Sequence, residues 1–184
     1  QPYSRTDNGG KTQTVTARSG RAPVTEQATR IILKAEHLGT NAQEPSEGPI
    51  ANLIDGNTAT FFHTAWSVAI PGPHWLQIRL PEALTEGHWK FWYAPRNNGR
   101  QKPTDFDILV STGGSDWTLV KKFTKDEDGL PVTATDAYTS PNLPVTQPFD
   151  HIRMVVNAVN SGEVFFTMSE FRLWQVKVVD PEAE

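Results

Sequence analysis

The chain contains no cysteine, so neither disulfides nor thiolate metal sites are available to it. The absence does not fix the compartment, but an extracellular module without cysteine must draw its stability from its core or from a metal. No apolar run approaches the roughly 20 residues that a membrane-spanning helix requires. An excess of positive charge is missing too: the formal net charge is −4 and the isoelectric point lies near 5.7. Nucleic-acid binders usually carry a basic face, so this balance argues against nucleic acid as a partner. It leaves a neutral ligand open, because net charge governs steering and solubility more than fold.

Turn formers and aromatics are plentiful. The 184 residues include 13 glycines and 14 prolines, and aromatics make up 10%. This length suffices for one domain that buries roughly 70% of its unfolded surface. Short apolar segments recur between Gly, Pro, Asn and Asp, the pattern of an all-β sandwich or barrel. Strands are predicted at Arg30–Glu36, His74–Leu80, His88–Ala94, Asp105–Ser111, Trp117–Phe123, Phe149–Asn157 and Val164–Val179. His88–Ala94 is aromatic on both faces and is expected to be central. Asp105–Phe123 reads as a hairpin closed by a glycine turn. Ile50–Ile54 reads as one helical turn ended by Asp55-Gly56. About eight antiparallel strands with long loops make a jelly-roll β-sandwich the expected fold. Residues 1–28 are polar and read as a flexible linker or leader, with an edge strand near Thr12–Ala17 as the alternative. The folded module is expected over 29–178, followed by a short tail over 179–184.

The most informative stretch is Ile50–Trp66, IANLIDGNTATFFHTAW. It combines a turn-forming Asp-Gly-Asn with threonines, phenylalanines, a histidine and a tryptophan. That mixture suits a structured loop presenting an indole and an imidazole, followed by the strand at His74–Leu80. His63 and Trp66, three residues apart, can set a ring face beside a hydrogen-bonding nitrogen. Small-ligand sites divide in this way into an apolar wall and a few placed polar groups. Arg96, in the polar loop Pro95–Pro103, adds a rigid fork of donors suited to neighbouring hydroxyls. Asn97 or Asn98 would supply a donor and an acceptor, and Glu44 or Glu47 an acceptor from the preceding loop. Phe61 and Phe62 are expected to pack, and His74 and His88 to cap strands or face solvent.

A series of signals falls in one order: Ile54-Asp55-Gly56-Asn57 with Thr60; Phe62–Trp66; Pro73–Ile78; Tyr93–Asn98; Ile108–Ser111 leading to Trp117; and Ser169–Leu173. Together they resemble an F5/8 type C (discoidin-type) domain over roughly Thr29–Val178. The branch most similar is that of bacterial carbohydrate-binding modules of family 32, with the galactose-binding-domain-like fold. The resemblance implies a shallow loop site for galactose or N-acetylgalactosamine, built here from His63, Trp66, Arg96, Asn97, Asn98 and Glu47. It also implies a structural calcium ion held by Asp55, Glu170 and oxygens near Asn52, Asn57 and Thr60. Calcium takes about six to eight oxygen ligands, many of them carbonyls. An extracellular bacterial protein with further domains, binding glycans without acting on them, is the expected setting. Two rivals remain. An enzyme would need a singled-out carboxylate pair or a nucleophile–histidine spacing, and none appears. A protein- or membrane-adhesion domain of the discoidin type would use apolar loop tips, and Val68-Ala69-Ile70 is the one feature favouring it.

Overall fold

A computed structural model describes residues 2–6, 12–18 and 20–182, with side chains placed at 20 and from 22 onward. The strands are β1 (Pro2–Thr6), β2 (Thr12–Arg18), β3 (Arg21–Ile31), β4 (Leu38–Thr40), β5 (Phe62–His63), β6 (His74–Leu84) and β7 (His88–Ala94). There follow β8 (Pro103–Ser111), β9 (Thr118–Thr124), β10 (Tyr138–Thr139), β11 (Leu143–Pro144), β12 (Phe149–Val159), β13 (Thr167–Met168) and β14 (Glu170–Val179). All pairings between them are antiparallel.

One sheet runs in the order β1-β2-β3-β14-β7-β10, with β11 also on β7; a second runs β4-β6-β12-β8-β9. Their facing sides form the core. Trp89, Phe91 and Tyr93 of β7 alternate inward, while Lys90 and Trp92 point out. Opposite them, Ile152, Met154 and Val156 of β12 alternate with outward-facing Arg153 and Val155. The centre is aromatic: Phe91 stacks on Phe171 at 6.1 Å and Phe106 on Phe123 at 5.0 Å. Offset and edge-on ring pairs add roughly 0.5–1.5 kcal/mol each beyond the area they bury. The expected all-β sandwich and the Asp105–Phe123 hairpin are present, but the aromatic strand β7 is not central: only the two-residue strands β10 and β11 lie beyond it, and its Lys90 and Trp92 face is turned away from the core.

Three further expectations need correction. The sheet begins before Thr29: Thr25 to Ile31 of β3 pair residue by residue with Val179 to Leu173 of β14. The edge of β14 needs backbone partners, and a polar segment supplies N–H and C=O groups as well as an apolar one. Residues 1, 7–11 and 19 of the expected leader lie outside the described residues, as do 183–184 of the expected tail. The strand expected over Arg30–Glu36 ends at Ile31 and gives way to a 3₁₀ turn at Ala35–His37. The strand expected over Val164–Val179 is two: β13 leaves the sheet to pair with β5, and β14 starts at Glu170. That small third sheet, β13-β5, carries His63.

Candidate functional site

The loops around β5 are fixed by backbone and carboxylate contacts. His63 N–H donates to the Gly48 carbonyl at 3.0 Å, and Glu44 N–H to the His63 carbonyl at 3.2 Å. Gly48 has φ +63°, and a Cβ there would lie 2.7 Å from both His63 Cβ and His63 N. Only glycine permits this approach. Glu44, 2% exposed, accepts from Trp66 N–H at 3.2 Å, Ser67 N–H at 3.0 Å and the Ser67 hydroxyl. Burial acts to raise its pKa, yet the Ser67 and Trp66 donors prevail and hold it below the usual carboxylate range. Glu44 is therefore a brace beneath the loop, not a reaching acceptor. His74, expected to cap or face solvent, is fully buried and joins Thr64 Oγ1 at 2.8 Å to the Ile70 carbonyl at 2.9 Å. It pins both ends of the Trp66 loop, because an imidazole has two nitrogens on opposite sides.

On this frame the Trp66 indole stands 50% exposed. Its Nε1–H donates to Glu47 Oε1 at 3.0 Å, which fixes the ring's orientation. The His63 ring lies 6.4 Å from Trp66 and 5.7 Å from Phe165, centroid to centroid. The Phe61 ring lies 6.2 Å from His63, with the Arg96 guanidinium 3.7 Å above the Phe61 ring. His63 Nδ1 is 2.7 Å from the Thr64 carbonyl, an acceptor only, so that nitrogen carries the proton in the neutral ring. Nε2 is then a bare acceptor, 4.0 Å from Glu47 Oε1. Burial lowers the His63 pKa, helped by Arg96 and opposed by the Thr64 carbonyl and Glu47, so the ring is neutral at physiological pH.

The structure brings His63, Trp66, Glu47 and Arg96 together. Asn97 is exposed in the Arg96 loop. Asn98 is used within that loop: Oδ1 accepts from Arg100 N–H at 3.2 Å and Nδ2 donates to Gln101 Oε1 at 3.4 Å. Two residues escaped sequence reasoning. Phe165 was absorbed into a predicted strand, although its place beside Phe166 in an alternating run was a signal that one of the two faces away from the core. Lys102 is fully buried, and its Nζ donates to the Arg96 carbonyl at 2.6 Å. Burial, and then the Arg96 charge, bring its pKa down to about 8. It holds the Arg96 backbone in place, and nothing in a polar loop marks such a lysine.

The expected metal residues also converge, unevenly. Glu170 is 1% exposed; its Oε1 accepts from Asn57 N–H at 3.1 Å, and its Oε2 is buried without a partner. Asp55 accepts from Asn57 N–H at 2.9 Å and from the Thr60 hydroxyl, and shares a hydrogen bond with Glu170. Burial and the neighbouring Asp55 push Glu170 up to about 7. Against the effect of burial, Thr60 and Asn57 hold Asp55 below its usual range. Two carboxyl groups crowded together with an unsatisfied buried oxygen are a donor set that fits a hard cation. The Asn52 side chain donates through Nδ2 to the Phe61 carbonyl at 2.9 Å, and Asn57 Oδ1 accepts from Ala59 N–H. Among the described residues no cluster of three or more His, Cys, Asp or Glu forms a cage, so carbonyls must complete any shell.

The family model of the F5/8 type C domain matches residues 37–171, and the chain belongs to that family. The chain is 27% identical over 176 residues to a sialidase of Micromonospora viridifaciens, covering 92% of this chain and 24% of that protein. It thus spans about a quarter of the length of that relative. In fold it is similar to the Clostridium perfringens module CpGH89CBM32-5 in complex with GalNAc-β-1,3-galactose: TM-score 0.64, 17% identity, 79% of this chain and 99% of that one. It is similar also to the family 32 carbohydrate-binding module of C. perfringens NanJ in complex with galactose: TM-score 0.59, 21% identity, 80% and 99% coverage.

Proposed function

We propose that this chain is a non-catalytic carbohydrate-binding module that takes a galactose-type sugar at the Trp66 loop. The observation that carries the reading is the half-exposed Trp66 indole, locked by Glu47 beside a neutral His63 that is 4% exposed and whose Nδ1, not Nε2, is engaged by the Thr64 carbonyl. The indole would receive the apolar face of a pyranose, His63 Nε2 a hydroxyl proton, and Arg96 would donate to adjacent oxygens. Asn97, exposed on the same loop as Arg96, would add a further contact, and Phe165 would widen the apolar wall. The ligands of the two similar modules, galactose and GalNAc-β-1,3-galactose, support this class of sugar.

One ring stack and four or five hydrogen bonds, each netting about 1 kcal/mol, are largely offset by the cost of association. The affinity is therefore weak, with a dissociation constant on the order of a millimolar. Sites this weak gain from tethering, so the module would work as an accessory domain of a larger extracellular bacterial protein. Calcium, in this reading, is held by Asp55 and Glu170 with the carbonyls of Asn52, Asn57 and Thr60. It would tie the loop before β5 to the start of β14 without entering the sugar site.

A glycan array probed with the wild-type chain and with Trp66→Ala tests the reading. Retention on terminal galactosides by the wild type and loss in the variant are expected. Binding to no galactoside, or equal binding by the variant, overturns it. Val68, 44% exposed beside Trp66, favours the second reading, insertion of an apolar tip into a membrane. Sedimentation with phosphatidylserine liposomes, abolished by Val68→Glu, would be its outcome.

A further inference from the structure

A second pocket lies on other residues. Beside the start of β14, a cavity of about 190 Å3 is lined by Arg30, Arg172, Ile32, Leu33 and Ile54, among others. The antiparallel register explains the convergence. Arg30 sits opposite Trp174 and Arg172 opposite Trp92, on the sheet face turned away from the core. The Arg172 guanidinium packs 4.5 Å from the Trp92 ring centre, which fixes its plane. No ion pair among the described residues includes either arginine. Arg172 Nε–H is buried and finds no acceptor, so this pair has more donors than the protein satisfies. Burial weighs most on the charge of Arg30, repulsion from Arg172 adds to it, and the carboxylate of Glu170 opposes both. Ile32, 66% exposed, stands at the mouth, and Ile54 and Leu33 add apolar wall.

Two like charges held against aliphatic side chains outnumber the one carboxylate that acts on them, Glu170. Guanidinium is planar and presents paired donors that fit the two oxygens of a carboxylate. The aliphatic walls match a short hydrocarbon stem, and the volume admits only a small one. We propose that this pocket is a second binding site, for a small carboxylate carrying an apolar stem. It is independent of the sugar at Trp66.

The test follows the Nε–H resonances of Arg30 and Arg172 by NMR while the full chain is titrated with sodium butyrate. Sodium chloride at equal ionic strength and neutral butyramide serve as controls. Butyrate is expected to shift both resonances saturably, with a dissociation constant on the order of a millimolar. Chloride and butyramide should not. Arg30→Gln, an exposed position, should weaken butyrate about tenfold. Ile32→Glu, which sets a carboxylate at the mouth of the pocket, should weaken it by a similar factor. Trp66→Ala should leave the response intact. Equal, unsaturable shifts with chloride would overturn the proposal, as would wild-type affinity in both pocket variants. Loss of the butyrate response in Trp66→Ala would overturn it too, by placing the carboxylate in the sugar site.

Discussion

Glu47 Oε1 accepts the Trp66 indole proton at 3.0 Å and lies 4.0 Å from His63 Nε2. One exposed carboxylate thus orients the ring proposed to stack on the sugar and borders the nitrogen proposed to accept from it.

From this relationship the Trp66 and Glu47 variants should differ. Trp66→Ala removes the stacking face and should weaken galactose binding at least tenfold, about 1.4 kcal/mol. Its melting temperature should move by no more than about 2 °C, because half the indole is already in solvent. Glu47→Gln keeps an oxygen for the indole and should bind nearly as wild type, whereas Glu47→Ala should lose roughly threefold to tenfold. Calorimetric titration with galactose reads all three.

His63 makes a pH prediction with a definite sign. Burial lowers its folded pKa below the ordinary imidazole value near 6.5. Between that value and the folded pKa the unfolded chain binds more protons, so stability falls as pH falls through this window. Above it the contribution is constant. Sugar affinity should hold through the ordinary imidazole range and drop only at lower pH, when Nε2 takes a proton. Melting curves and titrations from pH 7.5 to about 5, compared with His63→Gln, check both effects; the variant should lose the slope assigned to this ring.

Gly48→Ala should be costly. Its φ of +63° disfavours any side chain, and the new Cβ would meet the His63 backbone at 2.7 Å. The left-handed conformation alone costs about 1–2 kcal/mol. A lower melting temperature accompanied by lost galactose binding is expected, since the displaced strand carries His63. Thermal denaturation and calorimetry on the same sample would report it.

Calcium should stabilise the chain. At a free concentration one hundred times its dissociation constant, an ion bound only to the folded state adds about 2.7 kcal/mol. Chelation should lower the melting temperature and excess calcium restore it. Glu170→Gln should abolish the response, because the buried unpartnered oxygen belongs to that side chain. A melting temperature indifferent to chelator would remove calcium from the picture.

Much of the sandwich was legible because short apolar and aromatic segments such as β12 and β7 are bounded by turn residues, a local property that each strand carries in its own residues. The loop at Ile50–Trp66 was legible for a similar reason, since its turn, imidazole and indole lie within one short span. Asn98 shows what sequence does not reveal: its loop engages the side chain internally, and only the folded loop decides which donors and acceptors remain free. Glu44 and Glu47 look alike in sequence; one turned inward to brace backbone N–H groups, the other outward to an indole.

By itself the sequence determined an all-β chain without disulfides and placed His63 and Trp66 on one segment. Only the tertiary structure set Phe165, Lys102 and Arg96 around that segment, drew residues 25–31 into the sheet, and paired Arg30 with Arg172. The physical reason is distance along the chain: alternation and turn chemistry act between neighbours, whereas these contacts arise from sheet register, which is fixed when separate strands find common backbone partners and bury one shared face.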